Sequence, residues 1–338
     1  MSELRLNVVT KEWVIIAPER GSRPREIKPQ ASARPPLPVH DPNCPFCPGN
    51  ERETETEVFR LGNGEGDGSD WATRVVLNRY PVLSREHVSP DQKHHGLRHS
   101  LQGFGVHEVI IDTPRHDIAT ARMPRSQIET LFRTYRARYR ACVEDERIGH
   151  VVIFKNHGLA AGTSLIHPHS QVVATSVVSY QVRDRIRTLE DHDALYGQCV
   201  LCQMIDQEAT EGVRVIHIND SFVAFVPYAA LSPFHVWVFP LRHMARYGEL
   251  TDDEVKDLAE TMHIVLGKLY FGLGDPDFNF VIRSAPRTCS ASAFHWYLSI
   301  VPRLGRTAGF ELGSGMYVND RAPEEAAEFL QSVAVPAE

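Results

Sequence analysis

The chain lacks a secretory leader, a membrane-length apolar run, a basic block and a large cysteine complement. Residues 1–20 hold Lys11, Glu12, Glu19 and Arg20 and no long apolar core, so a cytoplasmic location is expected. The most apolar window, Ser221 to Pro240, contains Pro227, Pro233 and His235 in its interior. That composition predicts two strands and a turn, not a membrane span. Lys and Arg number 36 against 43 Asp and Glu, a formal net charge of −7, with no basic run beyond scattered pairs. A nucleic-acid binder normally carries a basic face, so that class is set aside, while a few arginines in one cleft can still hold a small anion. Of six cysteines, four form two CxxC pairs and only Cys142 and Cys289 stand alone. Without a leader, that pattern favours metal binding over disulfides.

What is present is one arrangement that occurs twice. The first copy runs Cys44-Pro-Phe-Cys47, His116, then His167-Pro-His169-Ser-Gln171. The second runs Cys199-Val-Leu-Cys202, His243, then His295-Trp-Tyr297-Leu-Ser299. The two histidines of each set lie 51 and 52 residues apart. Two thiolates and two imidazoles fill a tetrahedral zinc and leave no open position. Cys44, Cys47, His116 and His167 are therefore read as one structural site, and Cys199, Cys202, His243 and His295 as a second. Two zinc ions per chain are expected, with iron left open as the metal in either site. A zinc hydrolase would need an open ligand position, and neither set leaves one.

The repeat extends beyond the ligands. His107 to Ile111 and Phe234 to Phe239 alternate as strands before His116 and His243. Candidate capping boxes follow, Ser126 with Glu129 and Thr251 with Glu254. Each opens a helix. One buries Ile128, Leu131, Phe132, Tyr135, Tyr139 and Cys142; the other buries Val255, Leu258, Met262, Val265, Leu266 and Leu269. Strands at Val151–Phe154 and Phe278–Ile282 come next, then each ligand-histidine strand. The predicted fold class is α+β: two duplicated units with mostly antiparallel sheets and helices packed on them. Residues 1–185 would form the N-terminal catalytic half and 186–338 the C-terminal half. A last helix should start at Pro323. Residues 20–43 read as a proline-rich arm and Gly62 to Asp70 as a loop. The polar stretch 84–103, with His87, His94, His95 and His99, reads as a solvated loop.

Only the first copy has a histidine two places after its last ligand; the second has Tyr297. On a strand His167, His169 and Gln171 share a face. A pinned His167 lets His169 be aimed as a nucleophile, and neutral imidazole needs no separate base near pH 7. Gln171 can donate to a phosphoryl oxygen without adding charge. The preceding Asn156-His-Gly-Leu-Ala-Ala-Gly162-Thr-Ser164 suits close backbone approach to a phosphate.

At these residues the chain resembles the galactose-1-phosphate uridylyltransferase family of the histidine-triad superfamily. The likeness starts with Arg5, Asn7, Trp13 and Pro18 to Pro24. It continues through Cys44 to Gly49, Arg74 to Asn78, His116 and Asn156 to Gln171, and ends at Gly309-Phe310-Glu311. It implies a ping-pong reaction in which His169 takes UMP from UDP-glucose and passes it to galactose 1-phosphate. By position it implies that Arg20, Arg23, Asn78, Asn156, Gly162, Ser164 and Gln171 contact the nucleotide or its phosphates, and Glu311 the hexose. It also implies a homodimer acting on a nucleotide sugar and a sugar 1-phosphate. The second CxxC and Phe294-His-Trp-Tyr297 resemble a two-zinc branch that includes an ADP-glucose phosphorylase, which passes AMP from its nucleotidyl-histidine to phosphate. An adenylyl-His169 phosphorylase of ADP-glucose or a dinucleotide is thus the alternative. A non-catalytic, zinc-stabilised nucleotide-binding protein is the alternative of another class.

Overall fold

The computed structural model describes residues 1–22, 36–62, 70–86 and 93–336. Most of the proline arm with Arg23, most of the Gly62–Asp70 segment, and His87 lie outside the described residues.

In the first half, strands β1 (Glu3–Leu6), β2 (Trp13–Ile16), β3 (Glu57–Gly62) and β4 (Trp71–Leu77) lead to β5 (Lys93–His95) and β6 (Arg98–Ser100). Then come β7 (Gly105–Ile111), helix α1 (Arg125–Val143), β8 (His150–His157) and β9 (His169–Thr175). Helices α2 (Tyr180–Tyr196) and α3 (Val200–Glu211) connect to β10 (Val215–Ile218), β11 (Phe222–Phe225), β12 (Val236–Pro240), α4 (Asp252–Leu273), β13 (Phe278–Arg283) and β14 (Tyr297–Pro302). The chain closes with α5 (Gly309–Ser314), β15 (Tyr317–Asn319) and α6 (Pro323–Ser332). The boundary expected at 185/186 falls inside α2.

Ten strands form one sheet in the order β10-β11-β12-β14-β13-β8-β9-β7-β4-β3. Read from each edge inward, β3-β4-β7-β9-β8 has the same plan as β10-β11-β12-β14-β13. The mixed α+β fold is thus two like units sharing a sheet. They join where β8 pairs antiparallel with β13, from Phe278 opposite His157 to Ile282 opposite Ile153. A small sheet ties β1 and β2 to β15, and Arg5 Nη1 donates to Glu324 of α6 at 2.8 Å.

One sheet face is covered by α1 and α4, which pack on each other. The apolar positions expected at helical spacing in both helices are buried. Thr251 caps α4 with the full Glu254 box. Ser126 does not cap α1: the helix begins at Arg125 after Pro124, and the Ser126 carbonyl already accepts from the Thr130 hydroxyl. Proline fixes φ and removes a donor, so Pro124 sets the start ahead of the serine. The polar stretch around residue 96 is a hairpin, not an open loop, with Lys93 opposite Ser100 and His95 opposite Arg98. Gly96 turns it with φ 62°.

Candidate active site and metal centres

The opposite sheet face holds the chemistry. The Cys44–Cys47 turn lies over Trp71, Val76, Val109 and Ile111. It brings Cys44, Cys47, His116 and His167 together, all buried and with ligand atoms within 4.8 Å of one another. His167 Nδ1 is 3.6 Å from each thiol, and His116 Nδ1 is 3.6 Å from Cys47 Sγ. Bond lengths of about 2.3 Å to sulfur and 2.0–2.1 Å to nitrogen put ligand atoms about 3.6 Å apart around a tetrahedral zinc. His167 Nε2–H donates to the Thr113 carbonyl at 2.8 Å, which leaves Nδ1 free for the cation. The Asp41 amide donates to Cys47 Sγ at 3.3 Å, as suits a thiolate. Burial, and then the adjacent Cys47, push the Cys44 thiol up to about 11, so a cation is needed to hold it ionised.

The second centre is looser. Cys199, Cys202 and His243 meet the same mutual distance. His295 stands outside that mutual set, yet its Nδ1 is 3.4 Å from Cys202 Sγ, and His243 Nδ1 is 3.1 Å from the same sulfur. His243 Nε2 faces the Ala291 carbonyl at 2.7 Å, repeating the His167 arrangement. Both donor sets fit a soft divalent cation.

His169 opens β9 and is buried, 7% exposed. Its Nδ1–H donates to the His167 carbonyl at 2.8 Å, so Nε2 keeps its lone pair. Burial is the main cause holding its pKa below that of ordinary histidine; nearby Lys155 acts the same way. The ring packs edge-on to Phe46, centroids 5.5 Å apart. Behind it, Lys155 Nζ donates to the His169 carbonyl at 3.0 Å and to Asp112 Oδ2 at 2.6 Å. Ser170 donates to Asp112 at 3.1 Å and meets the Tyr135 hydroxyl at 2.6 Å.

Gln171 is oriented by His107, a residue the sequence reading placed only in a strand. The Val82 amide donates to His107 Nδ1 at 3.1 Å, so Nε2 carries the proton. That Nε2–H donates to Gln171 Oε1 at 2.8 Å. The Gln171 NH₂ is left as a donor. Asn78 Nδ2 lies 3.1 Å from the same ring nitrogen, two donors side by side, so Asn78 neighbours this group without bonding to it; its Oδ1 accepts from the Tyr80 amide at 2.8 Å.

The glycine-rich loop is held from the other half. Arg303 donates to Asn279 Oδ1, so Asn279 Nδ2 donates to Asn156 Oδ1 at 2.7 Å and to the Ala161 carbonyl at 2.9 Å. Asn156 keeps its own NH₂ as a donor. Asp277 accepts from the Ala160 amide at 2.6 Å and Asp275 faces His157 Nε2 at 2.8 Å. Gly158 and Gly162, at φ 85° and 89°, adopt backbone that favours glycine. Ser164 is exposed at the end of this loop.

The remaining sequence candidates sit apart from this network. Arg20 is exposed in the turn Pro18–Ser22. The Glu311 carboxylate accepts from the Ala308 amide at 3.0 Å and caps α5. In the second half, Tyr297 is stacked on Phe239 at 4.8 Å and tilted against Trp237 at 5.2 Å. One feature is kept: His235 Nε2 meets Ser299 Oγ at 2.8 Å, across the same 64-residue separation as His107 and Gln171. That repeated spacing is the sequence signal that would have picked out His107.

Residues 1–179 match the model of the galactose-1-phosphate uridyl transferase N-terminal domain, and residues 155–334 match that of its C-terminal domain. The chain belongs to the galactose-1-phosphate uridyl transferase family. It is 34% identical to the ADP-glucose phosphorylase of Arabidopsis thaliana, over 98% of this chain and 93% of that one. It is 28% identical to the galactose-1-phosphate uridylyltransferase of Thermotoga maritima, over 99% of both. A crystal structure of an Arabidopsis thaliana ADP-glucose phosphorylase with bound ADP-glucose superposes with a TM-score of 0.86 at 32% identity, covering 99% of this chain and 100% of that one. A uridylyltransferase structure gives 0.75 at 27%, covering 98% of each. The protein is a nucleotidyl-transferring enzyme of this family. No described helix is long and apolar enough to cross a membrane.

Proposed function

We propose that the enzyme carries its nucleotidyl group on His169 Nε2, taken from a nucleoside diphosphate sugar. The observation behind this is the His169 ring itself: Nδ1 is committed to the His167 carbonyl at 2.8 Å, on the sheet face that also carries Gln171 and Asn156. Nε2 attacks the α-phosphorus. The N–P bond forms as the P–O bond to the sugar 1-phosphate breaks, and the sugar phosphate leaves with that electron pair. Nδ1–H shares the resulting ring charge with the His167 carbonyl. The Gln171, Asn156 and Asn78 amides donate to phosphate oxygens. An acceptor oxygen then takes the phosphorus and Nε2 recovers its lone pair. Arg20, Arg23, Gly162 and Ser164 complete the nucleotide contacts, and Glu311 the sugar contact.

The preferred donor is ADP-glucose with inorganic phosphate as acceptor, which gives ADP. Support comes from the 34% identity to the phosphorylase against 28% to the uridylyltransferase, and from the second cysteine–histidine set. The second reading is transfer of UMP from UDP-glucose to galactose 1-phosphate, supported by both family models. With either donor, labelled glucose 1-phosphate should exchange into the nucleotide sugar without any acceptor. Turnover without such exchange would mean direct transfer and would remove the covalent step. A homodimer belongs to the same proposal. Exposed Leu159, Leu165 and Ile166, on the loop before His169, support it.

Zinc is the proposed occupant of both centres and serves to fix the fold; it takes no part in the bond-making steps. Metal analysis should find two per chain. Cys202→Ser should lower that to one and leave nucleotidyl transfer intact. One metal in the wild type would remove the second site.

His107→Phe should slow transfer by about 10- to 100-fold, because the Gln171 amide can then turn away from the phosphoryl oxygen. In a Gln171→Ala background the same change should cost nothing further. Additive losses would show that His107 acts by another route.

A further inference from the structure

The second half is not inert at the place where the first half has its active site. Tyr297 stands two residues after the ligand His295, as His169 stands two after His167. Arg283 pairs directly across the ladder with Tyr297. In the first half Phe154 pairs with Gln171, and the same ladder carried two residues on sets Asn156 opposite His169. Arg283 therefore occupies the position in the second unit that Asn156 occupies in the first.

A cavity of about 20 Å³ lies beside Arg283. It is lined by His150 and Val152 of β8, Val182 and Arg185 of α2, Val281 to Ser284 of β13, and Phe294. Burial first, and then nearby Arg185, disfavour the charged form of Arg283; burial, and then both arginines, do the same to His150. No acidic side chain lines the cavity. Among the described residues no hydrogen bond or ion pair reaches Arg283, which is half-buried, and Arg185 Nε is buried without a partner. A buried guanidinium is costly unless something negative meets it. The space suits one tetrahedral oxyanion and excludes a sugar or a base.

We propose that Arg283, Arg185 and His150 form an oxyanion site in the nucleophile-free half, taking inorganic phosphate or the phosphoryl end of a phosphate ester. The fork of an arginine matches two oxygens of such a group, so two arginines can satisfy it, with the His150 ring, bonded to the Ser284 backbone, lying against it. The site lies at the far end of β8 from Asn156, six residues or about 20 Å along the strand, so it is separate from the transfer site.

The test uses full-length, metal-loaded protein with inorganic phosphate as the probe, at fixed ionic strength against chloride. Histidine ring resonances and melting temperature are followed together. His150 resonances should move saturably with phosphate, and the melting temperature should rise in step, because a ligand that binds only the folded state stabilises it. Arg283→Met should lose both responses. It should also melt higher than wild type in phosphate-free buffer, since the unpaired buried charge is gone. Its transfer activity should stay. If Arg283→Met does not fold, Arg185→Met gives the same comparison. ADP is the second probe: a His150 shift with ADP and none with phosphate would make the ester the ligand. His150 resonances that ignore both probes, or that move equally in the methionine variant, would overturn the proposal.

Discussion

Glycine in place of His169 is expected to lower turnover by at least ~10⁴-fold while leaving the fold and metal content in place. The size follows from the role: without Nε2 no nucleotidyl-enzyme forms, and direct attack by the acceptor must proceed without a relay. The spared metal follows from the geometry. The ligand is His167, whose Nδ1 faces both thiols, whereas His169 touches the centre only through the His167 carbonyl. The measurements are steady-state rate, zinc per chain and the far-ultraviolet spectrum. Loss of zinc together with rate would mean that ligand and nucleophile had been exchanged. Rate retained within tenfold would remove the covalent role.

Lys155→Met is expected to destabilise the protein by about 3–5 kcal/mol. Lys155 and Asp112 are 2% and 0% exposed, and their contact at 2.6 Å is the only ion pair of either side chain among the described residues. Removing the ammonium leaves a buried carboxylate whose Oδ1 already has no partner. It also frees the His169 carbonyl from a 3.0 Å bond. Urea denaturation of the metal-loaded protein reads this effect. Adding Asp112→Leu to Lys155→Met should recover most of the loss, because the cost lies in the stranded charge and not in the missing bond. A single variant within about 1 kcal/mol of wild type would show that water or backbone movement already serves Asp112.

The metal clusters and helices were legible because each leaves a local or repeated mark. CxxC and the 51- and 52-residue histidine separations mark the cysteines and histidines that the fold brings together. Apolar residues at helical spacing name the faces of α1 and α4. Thr251 and Glu254 give a true cap, whereas Ser126 and Glu129 have the same pattern and form none. Pro124 outranks them, and sequence spacing cannot weigh one start signal against another. The hairpin at Lys93–Ser100 was invisible because both its strands are exposed on every residue, so no alternation records a buried face. Its one mark was Gly96.

The network around His169 depends on strand register, which has no local signature. Asn279 reaches Asn156 only because Phe278 to Ile282 pair with Ile153 to His157. His107 reaches Gln171 only because β7 and β9 are neighbours with Val109 opposite Gln171. The roles of Arg20 and Glu311 rest on family likeness alone, since neither side chain joins that network among the described contacts. The duplication itself carries a signal in the sequence. His107 with Gln171 and His235 with Ser299 share one separation, and aligning the two halves residue by residue would have brought both pairs out.

The central claim is the covalent nucleotidyl-His169. The most direct measurement is the intact mass of the metal-loaded protein at neutral pH after separate incubation with ADP-glucose and UDP-glucose. An added AMP from ADP-glucose, absent in His169→Gly and discharged by phosphate as ADP, is the predicted result. An added UMP from UDP-glucose, discharged by galactose 1-phosphate, would keep the histidine and exchange the base and acceptor. Mass unchanged by either donor, in an enzyme that turns that donor over, would contradict the account.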